Sequence, residues 1–255
     1  MSKQDSNWQI VSASVRGTSH EKSDLPCQDA YCYQRLSNDL LVLAVADGAG
    51  SATLSEIGSK VAAETAVHTL VQMSQNTSAE LEKIDWKGRL IETLNAAKQA
   101  VEIEAEVQEV EIRELATTLI VMVATPHLIA VSQVGDGAVV VEDKMGKIEA
   151  ITQPDYGEYL NETTFLIGLD AVETAQVKIW EGSPDHLAVF SDGLQMLALK
   201  MPAGTPHRPF FSPLFKFVSS ITNEQEAQEE LKSFLRSPRV TERTDDDLTL
   251  ILAAL

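Results

Sequence analysis

Apolar residues in this chain follow two patterns, short continuous runs and longer stretches with helical spacing. The continuous runs lie at 40–46, 117–124, 128–134, 186–190 and 248–252. Apolar runs of this length that end at a turn residue are typical of buried strands. Apolar and aromatic positions at 8–15 and through 30–46 extend the same prediction toward the start of the chain.

Helical spacing predicts two long helices between these strands and a shorter helix near the end of the chain. The first helix follows Thr53-x-x-Glu56, which has the spacing of a capping box. The second follows a polar break at 74–80, and the third is predicted at 224–235. The two long apolar stripes comprise Ala63, Ala66, Val67 and Leu70, and then Leu90, Leu94, Ala97 and Val101.

Two segments show neither pattern. The proline-rich segment 201–213 is predicted to be a loop. Residues 152–185 are less regular, and we expect residues 150–185 to form a mobile flap beside the site. Elsewhere most strands follow one another directly while the helices are grouped along the chain, which favours an α+β fold. Two sheets packed face to face with helices outside would bury such strands on both faces, so we predict a single domain over residues 1–255.

Composition and charge narrow the classes of partner. The formal net charge is −18, and no basic stripe offsets it, so nucleic acid is not expected as a partner. No apolar run reaches the ~18 residues that cross a bilayer, so no membrane partner is expected. The polar N-terminus and the two cysteines, Cys27 and Cys32, predict a cytoplasmic protein without a disulfide framework.

Aspartates recur beside glycine, or beside another aspartate, next to the predicted strands. They occur in Gln28-Asp29, Asp47-Gly48-Ala49-Gly50, Gly135-Asp136-Gly137, Ser191-Asp192-Gly193 and Asp245-Asp246-Asp247. One Asp-Gly pair is typical of an ordinary turn, but this recurrence favours a shared site. Because the set offers oxygen atoms and neither histidine nor thiolate, it predicts Mg²⁺ or Mn²⁺ rather than Zn²⁺.

The motifs, taken in order, resemble those of the type 2C metal-dependent protein serine/threonine phosphatases. The matching motifs are Gln28-Asp29-Ala30, Asp47-Gly48-x-Gly50, Ala116-Thr117-Thr118, Gly135-Asp136, Ser191-Asp192-Gly193 and Asp246-Asp247-Leu248-Thr249. The segment from Arg16 to Asp29 is similar to a bacterial branch of that family. The resemblance spans residues 8–254 and implies a four-layer α-β-β-α sandwich, with two antiparallel sheets flanked by helices and two metal ions at one end.

The resemblance implies a role for each matching position. Asp47 would bridge the two ions and Gly48 would offer its carbonyl to the second, while Asp192 and Asp246 would bind the first. Asp29 would act through waters or as a direct ligand. Asp47, Asp192 and Asp246 would thus support catalysis, in which a metal-bridged hydroxide attacks the phosphorus of phosphoserine or phosphothreonine.

The resemblance also implies a third ion in many bacterial members, bound by Asp192 and an acid before the threonine pair. Glu114 is the candidate for that acid here. Asp136 occupies the family's Gly-Asp-Ser position, which reads Gly-Asp-Gly in this chain. We interpret Asp136 as a structural residue that binds loop backbone.

Two positions depart from the family's pattern. Asp24 stands where an arginine usually holds the substrate phosphate, so Arg16, His20 or Lys22 would take over that role. His20 is also the candidate general acid, because it is the histidine nearest to a motif. Gln28 replaces the usual acid before Asp29, and an amide adds no charge for the second ion.

Three functions remain open at this point. The first is hydrolysis of phosphorylated proteins, with a cognate serine/threonine kinase as the opposing enzyme. The second is a catalytically weak module that binds a phosphoprotein on the same fold, which the missing arginine and Gln28 favour. The third is metal-dependent hydrolysis of a small phosphate ester or nucleotide.

Overall fold

The computed structural model describes residues 8–36, 39–75, 81–154 and 163–255. The strands are β1 (Gln9–Val15), β2 (Asp29–Arg35), β3 (Leu41–Asp47), β4 (Leu119–Ala124), β5 (Leu128–Val134), β6 (Ala138–Asp143), β7 (Ile148–Ala150), β8 (Gln176–Glu181), β9 (Pro184–Phe190), β10 (Leu199–Lys200), β11 (Thr205–Pro206) and β12 (Leu248–Ala254). The helices are α1 (Thr18–Ser23), α2 (Ser55–Gln75), α3 (Trp86–Val107), α4 (Ala171–Thr174), α5 (Gln195–Ala198), α6 (Arg208–Ser219), α7 (Glu224–Leu235) and α8 (Pro238–Thr241).

Ten of the strands form two antiparallel sheets of five strands each. One sheet has the order β1-β12-β9-β6-β7 and the other the order β2-β3-β4-β5-β8. The remaining strands, β10 and β11, pair only with each other. Antiparallel pairing places the end of one strand beside the start of its partner. Loop residues that are distant in sequence therefore meet at one end of a sheet.

The side chains of β3 show how the two sheets pack. Leu41, Leu43 and Val45 face the second sheet, where they meet residues such as Val139 and Ile251. The intervening residues of β3 face the opposite way and pack against helices. Because both faces are buried, β3 is apolar at every position before Asp47, as the continuous run predicted.

The helices form the outer layers, which confirms the predicted four-layer α-β-β-α arrangement. Helices α2 and α3 cover the sheet that contains β3. Helices α6 and α7 cover the sheet that contains β12. None of the described helices is both long enough and apolar enough to cross a membrane.

The prediction of a loop at 201–213 was wrong in its second half. Helix α6 begins at Arg208, with Pro209 in its first turn, where the missing N–H costs nothing. Pro213 lies inside the helix and removes one hydrogen bond. The apolar stripe Phe211, Leu214, Phe215 and Val218 is buried, and its packing outweighs that loss.

Two further local predictions need correction. The less regular segment 152–185 contains α4 and the edge strand β8, whose mixed polar and apolar residues gave no clear alternation. The centre of the predicted flap, 155–162, lies outside the described residues. Thr53 does not cap α2, because the helix begins at Ser55 and the Thr53 hydroxyl donates to Glu114.

Candidate metal centre

The first two aspartates of the centre meet because of strand register. Asp29 opens β2 and Asp47 closes β3, and the antiparallel pairing places these residues directly opposite each other. Residues opposite in such a pair have Cβ atoms about 5 Å apart. Two carboxylates at this spacing repel each other when both are ionised, so the pair either keeps a proton or gains stability from a cation between them.

The threonine pair explains how the end of β3 is held. The backbone N–H of Asp47 donates to Oγ1 of Thr118 at 3.0 Å, and the N–H of Thr118 donates to the Asp47 carbonyl at 2.8 Å. Oγ1 of Thr117 donates to the same carbonyl at 3.0 Å. These bonds orient the Asp47 backbone without using its carboxylate.

Gly48 follows at a place where the backbone is crowded. A Cβ atom there would lie 2.7 Å from the Ser55 carbonyl oxygen and 2.8 Å from that of Gln28. The Gly48 N–H donates to the Gln28 carbonyl at 3.1 Å. Glycine is therefore needed for this close approach, which holds the loop after β3 against the start of β2.

The other sheet contributes Asp192 and Asp246. Asp192 follows β9 at the start of a short 3₁₀ turn, and Asp246 lies just before β12. Ser191 links the two sheets, because its Oγ donates to Oδ2 of Asp29 at 2.7 Å and accepts from the N–H of Thr249 at 3.1 Å. The positions named by the motifs thus converge at one end of the sandwich.

Asp136 also lies in this cluster. It sits in the turn between β5 and β6, which belong to different sheets. Its carboxylate and those of Asp47 and Asp192 each place an oxygen within 4.8 Å of the others. Oδ2 of Asp136 accepts from Oγ1 of Thr163 at 2.9 Å.

The electrostatics of the cluster are those of crowded anions. Burial, opposed by a hydrogen bond from Ser191, raises the pKa of Asp29 to about 8. Burial and then Asp29 raise the pKa of Asp47 well above its ordinary value. Burial and then Asp192 raise the pKa of Asp136 to about 6. Asp246 is more open to solvent, and its partial burial and then Asp192 raise its pKa. Every one of these groups would ionise more easily beside a cation.

The chemistry of the donor set fits hard divalent cations. Oδ1 of Asp29 and Oδ1 of Asp192 are buried and make no hydrogen bond within the described part of the chain. Buried carboxylate oxygens are rarely left without a partner. A centre built from several carboxylates is suited to Mg²⁺ or Mn²⁺.

Asp247, which no prediction assigned a role, joins three segments beside the centre. It is 3% exposed. Its Oδ1 accepts from the N–H of Gly17 and its Oδ2 from the N–H of Gln28, both at 2.6 Å. Nδ1 of His20 lies 2.9 Å from the same Oδ2. Asp247 therefore holds together the starts of α1, β2 and β12.

Three residues were predicted to contact phosphate. Among them His20 lies beside the centre, where its Nδ1 contacts the Asp247 carboxylate. The Arg16 guanidinium donates to the Leu25 carbonyl at 3.0 Å and lies 3.9 Å from Asp24. Lys22 is exposed on α1. Gln28 is 3% exposed, and its Oε1 makes no hydrogen bond among the described residues.

Glu114 has partners of its own. Its Oε2 accepts from the N–H and from Oγ1 of Thr53, at 3.1 and 2.9 Å. Its Oε1 lies 3.4 Å from Nε of Arg113. These contacts, first those with Thr53, lower the pKa of Glu114. Glu114 therefore secures the loop that follows Asp47, and the described contacts do not bring it into the carboxylate cluster.

From the sequence we expect a structural role for Asp136 and assign no role to Asp247. The signal for Asp136 was its place between two glycines, where a turn joins two strand-like runs. The signal for Asp247 was its position as the last of three consecutive aspartates, followed at once by a strand. Neither signal says which neighbouring segment the carboxylate faces, because that depends on the packing of the two sheets.

The sequence of this chain matches those of known protein phosphatases. The family profile described as "Protein phosphatase 2C" matches residues 16–236. The chain is 39% identical over 254 residues to "Serine/threonine-protein phosphatase 3" of Escherichia coli (strain K12). The alignment covers 97% of this chain and 98% of that protein.

Solved structures show the same fold at low sequence identity. The catalytic domain of the serine threonine protein phosphatase PstP, in complex with 2 manganese ions, superposes with a TM-score of 0.63 at 16% identity, covering 97% of each chain. The serine/threonine phosphatase Stp1 from Staphylococcus aureus gives a TM-score of 0.65 at 15% identity, covering 100% of this chain and 98% of that one.

Proposed function

Because this chain belongs to the protein phosphatase 2C family, we propose that it is a metal-dependent protein phosphatase acting on phosphoserine and phosphothreonine. The family resemblance inferred from the motifs is confirmed. The observation that carries the proposal is the convergence of Asp29, Asp47, Asp136 and Asp192 from both sheets at one edge of the sandwich. The whole chain would act as one phosphatase domain.

In the proposed centre, Asp47 would contact two ions, Mn²⁺ or Mg²⁺, with the Gly48 carbonyl beside it. Asp192 and Asp246 would bind the first ion, and Asp29 would bind an ion directly or through water. When bound, such ions lower the pKa of water and neutralise phosphoryl oxygens. The fixed backbone of Asp47 and the Ser191 bond to Asp29 hold these carboxylates in place before any ion arrives.

Other residues of the chain would handle the substrate. Arg16 lies at the end of β1 beside α1 and offers a guanidinium to the phosphate. His20 would donate a proton to the leaving serine or threonine oxygen. Its Nδ1 faces Asp247, which leaves Nε2 as the ring nitrogen for that transfer. Lys22, which is exposed, would contact phosphate or the surrounding peptide.

The substrate would be a phosphorylated protein, and the enzyme that supplies it would be a serine/threonine kinase. The 39% identity to a protein named as a serine/threonine phosphatase supports this substrate class. Gln28 keeps a second candidate open, namely a module that binds phosphoproteins with little turnover, because its amide brings no negative charge to the second ion.

The test is Mn²⁺-dependent release of phosphate from phosphoserine and phosphothreonine peptides, with nucleotides as competing substrates. We expect Asp47→Asn to lower kcat/KM by at least about 10²–10³-fold, because the ions that Asp47 would hold stabilise transition-state charge and losing one such stabilising group typically costs this much. Asp170→Asn, at an exposed aspartate outside the cluster, should change nothing. Tight peptide binding without phosphate release would favour the binding module, and faster turnover of nucleotides would favour a small-ester hydrolase.

A further inference from the structure

We propose that Asp136 is a metal ligand of this centre and that it, rather than Glu114, supplies the additional carboxylate beside Asp192. This inference rests on the proposed function, since it adds a ligand to the same group of ions. It reverses two sequence-based expectations, one for each residue. The reasons lie in the surroundings of the two carboxylates.

The carboxylate of Asp136 lies beside two other carboxylates, in addition to the donors that hold it. One of its oxygens lies within 4.8 Å of oxygens of Asp47 and Asp192. Ligand oxygens on one cation at the ~2.0–2.6 Å bond lengths of Mg²⁺ and Ca²⁺ are separated by at most about 4–5 Å. The three carboxylates can therefore share an ion with little rearrangement.

Asp136 is also buried and oriented. It is 6% exposed, and Oγ1 of Thr163 donates to its Oδ2. Nε2 of Gln195 donates to its backbone carbonyl. A buried carboxylate that neighbouring donors orient, and that lies beside two other carboxylates, resembles a metal ligand held by a second layer of residues. An aspartate that only stabilised its own turn would need no such neighbours.

Glu114 lacks these features. Both of its oxygens have partners, Thr53 on one side and Arg113 on the other. Its side chain is 26% exposed, so water can also solvate it. To reach the ions, Glu114 would have to release Thr53 and with it the loop that follows Asp47. The energetic balance therefore favours Asp136.

The experiment counts Mn²⁺ ions and measures their affinities by calorimetric titration of the full chain after chelation. We expect Asp136→Asn to lose one ion or to weaken Mn²⁺ binding about 10–100-fold, while Glu114→Gln binds Mn²⁺ as the wild type does. Thr163→Val should weaken binding about 10–100-fold, the loss typical of removing the partner of a ligand. Thermal unfolding checks that each variant is folded.

The outcomes separate this inference from the proposed function. Mn²⁺ binding by Asp136→Asn that equals the wild type, or a loss confined to Glu114→Gln, would overturn the role of Asp136 and leave the phosphatase assignment intact. If Asp136→Asn fails to fold, Thr163→Val decides, and unchanged Mn²⁺ binding in that variant overturns the inference. A wild-type chain that binds no Mn²⁺ would instead refute the proposed function.

Discussion

Asp29 and Asp136 retain protons at pH values where an ordinary aspartate is ionised, with pKa values of about 8 and about 6. In the unfolded chain both ionise near pH 4. A pKa raised by folding adds stability below the unfolded value, and that stability is lost as pH rises through the folded value. Without metal, the fold should therefore weaken between about pH 4 and pH 8.

The measurement is thermal unfolding across this pH range, with chelator and with Mn²⁺. In chelator the free energy of unfolding should fall by several kcal/mol with rising pH, since each unit of a raised pKa corresponds to ~1.4 kcal/mol. Mn²⁺ should reduce or reverse the slope, because ions bind the ionised carboxylates. A stability that does not change with pH in chelator would contradict the buried anionic cluster.

Gly48 offers a second test at the level of one residue. In Gly48→Ala the new methyl group meets two backbone carbonyl oxygens, those of Ser55 and Gln28, and neither can rotate away. We expect a loss of about 1–3 kcal/mol in stability, typical of overpacking, together with weaker Mn²⁺ binding. Gly50→Ala is the matched control, since its nearest neighbour is the Gln28 side chain at 4.0 Å. Equal stability of the two variants would argue against the close approach.

The sequence was sufficient to predict that Asp29 and Asp47 lie close together, but not that Asp136 lies close to Asp47. The first two lie at the ends of strands that are consecutive in the chain, so antiparallel pairing alone brings them together. Asp136 connects strands of different sheets. Its direction depends on how the sheets pack, and no local pattern records that.

At the level of elements, one carboxylate joins three segments that are far apart in sequence. Asp247→Ala would leave the N–H groups of Gly17 and Gln28 without an acceptor, and both groups are buried. Each such group costs about 1–3 kcal/mol, so we expect a loss of about 3–5 kcal/mol. Chemical denaturation of the metal-free chain measures it.

Asp245→Ala serves as the control for this prediction. Asp245 is exposed, and its bonds to Ser19 use the backbone carbonyl, which the substitution keeps. Its stability should match the wild type within about 0.5 kcal/mol. If Asp247→Ala were equally stable, the junction of α1, β2 and β12 would have to depend on other contacts.

The apolar pattern of the sequence predicted some helices and strands and missed others. The long helices α2 and α3 each bury one continuous stripe, and that stripe is visible in the sequence. Helix α6 was missed because its prolines suggested a loop more strongly than its four buried apolar residues suggested a helix. Strand β8 was missed because an edge strand buries too little to need an apolar pattern.

For the whole molecule, the net charge of −18 should influence which phosphoproteins are good substrates. An acidic phosphopeptide is repelled by the chain and a basic one is attracted, and both effects are screened by salt. Raising the ionic strength toward ~0.15 M should increase kcat/KM for acidic peptides and decrease it for basic ones. Phosphate release from a matched peptide pair measures this, and identical salt responses would refute it.

The two sheets supply different halves of the centre: Asp29 and Asp47 come from one, Asp192 and Asp246 from the other. A copy in which only one sheet has formed can neither retain a cation pair nor cleave an ester. Uptake of manganese therefore reports completed assembly.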